Sequence, residues 1–103
     1  MIENMVPAYN APEYPATDAA RTVAAELINE VEFFHRLDPV VSIVPVHESV
    51  HVTVRPESLR VWQTWVSLFK VHDARHMVAM SHGHGRWQGV PIILVGLDPQ
   101  GWR

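Results

Sequence analysis

The chain has 103 residues, 48% hydrophobic and 18% charged, with a formal net charge of −3 and no cysteine. This length implies one domain with a thin core, and the missing cysteine excludes disulfides, thiolate catalysis and zinc–thiolate sites. No run reaches the roughly 18 to 20 apolar residues that span a bilayer, and the N-terminus lacks the basic and apolar regions of a signal peptide, so the expectation is a cytoplasmic protein without membrane contact.

Charge is unevenly placed. Residues 1–50 carry two arginines against eight acids, whereas residues 51–103 carry six basic residues against three acids and hold five of the seven histidines. Such asymmetry suits either a nucleic-acid-binding half or packing of complementary surfaces. The basic residues are scattered singly, with no cluster to track a phosphate backbone, so nucleic acid is the second choice of partner. The low charged fraction leaves apolar surface for another protein.

Met1 to Ala16 contains Pro7, Pro12 and Pro15 and no usable period. It reads as a mobile tail, leaving 17–103 as the domain. Thr17 and Asp18 are N-cap candidates. Ala20, Val23, Ala24, Leu27, Ile28, Val31 and Phe34 then repeat at helical spacing to about Arg36. Asp38-Pro39 ends that helix.

Val40–Val46 is mostly apolar and β-branched and predicts a strand; Ser49–Arg55 predicts a second, with Pro45 implying a bend or an edge position. Pro56 opens a second helix with polar Arg60, Gln63, Thr64, Ser67 and Lys70 on one stripe. The remaining arc, including Val61, Trp62, Trp65, Leu68 and Phe69, is wider than one sheet contact needs. His76–Ser81 predicts a third strand, His82-Gly83-His84-Gly85 a turn, and Val90–Leu97 a last strand that Pro91 places at an edge or a bulge. Asp98–Gly101 reads as a closing turn. The expected fold is a single α+β domain of order α-β-β-α-β-β, a mainly antiparallel sheet packed on helices. A faint echo at an offset of 35 pairs His47 with His82 and Phe34 with Phe69, which hints at a doubled α-β-β unit.

His47-Glu48-Ser49-Val50-His51 spells H-E-x-x-H. A zinc peptidase needs these histidines one turn apart on a helix. Pro45 and the alternation of Val50, Val52 and Val54 place them instead in a strand, with the histidines about 13 Å apart. His82 and His84 could converge beside His72 or His76, but no cysteine and few carboxylates accompany them, so no metal and no cofactor is expected. Gly83-His84-Gly85-Arg86 lies between strands and lacks the helix that a phosphate loop requires. No G-x-S-x-G surrounds any serine, so no catalytic residue is assigned.

The expectation is therefore a non-enzymatic interaction or regulatory domain that forms a homodimer. Its candidate contact residues are Val61, Trp62, Trp65 and Leu68 on the second helix, with Arg86 and Trp87 near the last turn. The alternatives are a nucleic-acid-associated regulator using the basic second half, and a histidine-based metal hydrolase.

Overall fold

Thr17 caps the first helix: its Oγ1 accepts from the Ala20 N–H at 3.1 Å, and α1 runs Asp18–Asn29. Ala20, Val23, Ala24 and Leu27 form its buried stripe. The computed structural model describes residues 15–30, 40–76 and 80–102. The expected continuation of α1 from residue 31 to Arg36, and the tail up to Tyr14, lie outside the described residues. The last expected tail residues, Pro15 and Ala16, are held against the sheet: the His47 N–H donates to Pro15 O at 2.6 Å, and the Thr17 N–H to His47 O at 2.8 Å.

Five strands follow. They are β1 (Val40–Val46), β2 (Ser49–Val54), β3 (Arg75–His76), β4 (Met80–Trp87) and β5 (Val90–Leu97), with helix α2 (Leu59–Leu68) between β2 and β3. They form one sheet in the order β1-β2-β5-β4-β3. Neighbours are antiparallel except β2 and β5, which run parallel. That pair requires a long crossover, and α2, β3 and β4 supply it. The α+β class and the order of elements agree with the sequence; the expected strand His76–Ser81 meets only the end of β3 and the start of β4, which runs on through the expected turn to Trp87, and residues 77–79 lie outside the described residues.

Three local readings change. Helix α2 starts after Ser58, whose Oγ accepts from the Val61 N–H at 3.2 Å, so Pro56 precedes the helix rather than lying in its first turn. Gly83 and Gly85 do not make a turn; both lie within β4. A Cβ on Gly83 would stand 2.5 Å from Val71 Cγ1, and one on Gly85 2.1 Å from Phe69 O. These glycines let the chain after α2 lie directly on β4. The hairpin turn is Gln88-Gly89, with φ of 51° and 83°, the positive pair that a two-residue type I′ turn requires.

Pro91 is likewise not at an edge, because β5 lies between β2 and β4. The β2 ladder begins at Val50–Ile92, one residue beyond Pro91. On the other side Pro91 faces Arg86 one step from the hairpin turn, a pair that exchanges no backbone hydrogen bonds. The proline is tolerated because no ladder bond is asked of its nitrogen. Pro45 does lie in an edge strand, β1.

Both helices cover one face of the sheet. Val50, Val52 and Val54 of β2 and Val90, Ile92 and Leu94 of β5 point into that layer with Trp62, Trp65 and Phe69. Leu27, Val40, Ile43 and Val52 meet Trp65 and Phe69 around one small gap, so the two helices share a single core. The other face, called the open face below, carries the alternate residues of each strand. No helix among the described residues is long and apolar enough to cross a membrane.

Candidate functional site

The H-E-x-x-H residues lie at the β1–β2 turn. His47 adopts φ 54°, the left-handed region that histidine enters more readily than most residues. Glu48 follows as an exposed turn residue, and His51 lies in mid-strand opposite Val44. The segment thus forms a hairpin and not the helical face that a zincin needs. No group of three potential ligands that could hold a metal occurs among the described residues. His82 lies in mid-strand in β4 whereas His47 forms a turn, so this pair of the 35-residue echo does not occupy equivalent places.

The register sets the open face in rows. One row reads Val44, His51, Ile93, His84 across β1, β2, β5 and β4. The next reads Ser42, Thr53, Val95, His82 and, on β3, Arg75. Val46, Pro91 and Leu97 flank these rows and are half-buried, as are Val44, Ile93 and Val95. No Asp or Glu occupies this face among the described strand residues. Burial pushes the His51 imidazole below its ordinary 6.5, since a charged ring loses more hydration than a neutral one.

Beyond the outer side of β4 the chain after α2 makes a second feature. The Arg86 N–H donates to Phe69 O at 2.7 Å and the His72 N–H to His84 O at 3.4 Å, tying this segment to the strand. Asp73 grips His84 twice: Oδ1 accepts from its backbone N–H at 2.6 Å and Oδ2 lies 2.7 Å from its Nδ1. The backbone N–H first, and then the imidazole, hold the Asp73 carboxyl below its ordinary 3.8. Lys70, His72, His84 and Arg86 line a cleft of about 240 Å³ here.

The third feature is aromatic. Trp62 stacks on Trp102 with ring centroids 5.1 Å apart, and His76 meets Trp102 edge-on at 6.1 Å. His76 Nδ1 lies 2.5 Å from Ser81 Oγ. Ser81 is fully buried, so this pair offers no hydroxyl to a substrate and does not form a nucleophile–base site. Leu59, Pro99 and Gln100 complete an open cleft with the His76 and Trp102 rings.

The sequence-assigned contact residues divide between core and surface. Trp62 and Trp65 are 2% and 1% exposed, so both indoles belong to this chain's own core. Val61, Leu68 and Trp87 are partly buried against that core, and Trp87 meets Phe69 edge-on at 5.8 Å. Arg86 is exposed on the open face. The wide apolar arc of α2 is thus used by one deep core. The half-exposed Ile93, Val95 and Leu97 of the open face escaped the sequence reading because Val90–Leu97 is a continuous apolar run that reads as buried on both sides. Lys70 escaped because it looks like one more residue of the α2 polar stripe.

No protein-family model matches the chain, and no curated protein or solved structure matches it significantly.

Proposed function

We propose that the chain is a non-enzymatic protein-interaction domain that pairs with a second copy of itself through the open face of its sheet. The observation supporting this is a set of half-exposed apolar side chains on the open face, Val44 and Val46 on β1 and Ile93, Val95 and Leu97 on β5, on either side of β2 with its Ser49, His51 and Thr53. Apolar side chains gain by leaving water, and the three on β5 form the larger group. A twisted sheet stacks on another at about 10 Å with side chains interleaved, and a two-fold axis presents the same patch from both subunits.

Light scattering after size exclusion tests the reading. The parent is expected to have the mass of two chains at micromolar concentration, and Ile93→Lys and Val95→Lys to give folded monomers by circular dichroism and mass. A parent that stays monomeric at several hundred micromolar, or lysine variants that stay dimeric, rejects it.

A second reading is a nucleic-acid-associated regulator bound across the same face. It draws on Arg75, Arg86, His51, His82 and His84 there, with no carboxylate among the described strand residues. It ranks second because the described strand residues of that face include no aromatic ring on which a base could stack. Salt-dependent retention on random-sequence RNA or DNA, lost in Arg75→Gln with Arg86→Gln, would favour it over self-association.

A further inference from the structure

We infer that the cleft between the end of α2 and β4 is a binding site for a phosphate group. It does not rest on the self-association reading, although His84, Arg86 and Pro91 also lie on the open face.

The cleft draws two cations, Lys70 and Arg86, and two imidazoles from separate parts of the chain. Lys70 and His72 come from the segment after α2, and His84 and Arg86 from β4. No carboxylate lines it among the described residues, although the whole chain carries a net charge of −3. Backbone hydrogen bonds from Arg86 to Phe69 and from His72 to His84 hold the two segments together. An anion in the cleft is attracted to both Lys70 and Arg86, and the Asp73 carboxylate beside it is already engaged by His84. The volume of about 240 Å³ equals about eight waters at their liquid share, room for a phosphate group and part of its hydration.

Lys70 is the second observation. It stands just past the end of α2 with φ 53°. Its N–H donates to Ser67 O at 3.2 Å and the Val71 N–H to Val66 O at 2.8 Å. These are the two bonds of a Schellman cap, whose left-handed residue is usually glycine. A lysine there is strained where glycine would be free of strain. The chain's one lysine occupies this position and lines the cleft.

The donors are suited to an oxyanion. Arg86 uses Nη1 on Gly89 O at 3.1 Å, which leaves most of a fork of five N–H donors. The Lys70 ammonium supplies a compact charge with three more. Asp73 fixes the His84 ring through Nδ1, and Nε2 is the nitrogen that remains for a ligand. A multiply charged anion engages several of these donors together, whereas a monocarboxylate with one charge engages fewer.

The test is an amide-resolved NMR titration at constant ionic strength with inorganic phosphate, glycerol phosphate and acetate. Saturable shifts centred on Lys70, His72, His84 and Arg86 are expected with phosphate, with a dissociation constant on the order of 1 mM or tighter, and only weak shifts with acetate. A tighter response to glycerol phosphate identifies a phosphorylated molecule as the ligand; a tighter response to inorganic phosphate identifies the free ion. Arg86→Gln and Lys70→Gly should each weaken binding by roughly tenfold, the worth of one charged hydrogen bond. Lys70→Gly should also raise the thermal midpoint, which separates loss of binding from loss of fold. Equal, unsaturating shifts with acetate and phosphate, or parent-like binding by both variants, overturns the proposal.

Discussion

Gly96 lies against the Trp62 indole at a spacing no side chain could share: a Cβ on Gly96 would stand 2.6 Å from Cζ3 and 2.7 Å from Cε3, with Trp102 Cη2 at 2.9 Å. The missing side chain in β5 makes the recess that receives α2. Gly96→Ala should therefore destabilise by about 1–3 kcal/mol through overpacking. Urea denaturation with an unchanged slope would register this as a lower midpoint. A midpoint equal to the parent's would mean the indoles shift freely.

Trp62→Ala and Trp65→Ala should each cost about 3–5 kcal/mol, as large aromatic truncations in cores do. Both rings are buried in the same chain, so the loss should be of folding and not of pairing alone. That cost is a large part of the stability of a domain this size. Near-ultraviolet circular dichroism should lose its fixed aromatic signal at low and high protein concentration alike. A folded variant of halved mass would instead place that indole in an interface.

Stability should fall on acidification in two separate windows. The folded pKa of His51 is lowered below 6.5 by burial, so the unfolded chain binds the proton first. The stability is complete above the unfolded value and is lost as pH drops through the lowered folded value. His51→Thr should flatten the stability curve as pH falls from above 6.5 through the lowered folded value. Asp73, held below 3.8 by His84, has the same sign in a more acidic window: its contribution is present above 3.8 and lost as pH falls through its folded value. Asp73→Asn should change only that lower part of the curve. Chemical denaturation across pH checks both, and an unchanged neutral-to-acid slope in His51→Thr would count against burial of that ring.

Lys70→Gly should stabilise the isolated protein by about 0.5–1 kcal/mol. The left-handed conformation at φ 53° costs a side-chain-bearing residue about 1–2 kcal/mol, partly offset by the greater chain entropy of unfolded glycine. Lys70→Ala keeps the strain and should show no such gain. Thermal unfolding of the two variants side by side separates relief of backbone strain from removal of charge.

The sequence by itself determined the kinds of element and their order. Thr17 is a helix cap whose hydroxyl competes locally for an N–H group. The alternation of Val50, Val52 and Val54 is a property of one strand with one buried face. Pro45 and that alternation were enough to remove His47 and His51 from a helix. Such signals are local, and neighbouring residues carry them.

Pairing was decided only in three dimensions. The parallel junction of β2 with β5 puts His51, Ile93 and His84 in one row, although those residues are far apart in the chain. The reason Gly83 and Gly85 are glycines is the backbone of Phe69 and the side chain of Val71 lying against them; read locally, two glycines among histidines signal a turn. The α2 arc looked too wide for one core because its depth depends on Gly96, on the far strand of the crossover. Lys70 looked helical because nothing in its neighbours marks a lysine as the left-handed residue of a cap. In each case the deciding contact is with atoms distant in sequence, and packing against those atoms, not local preference, fixes the conformation.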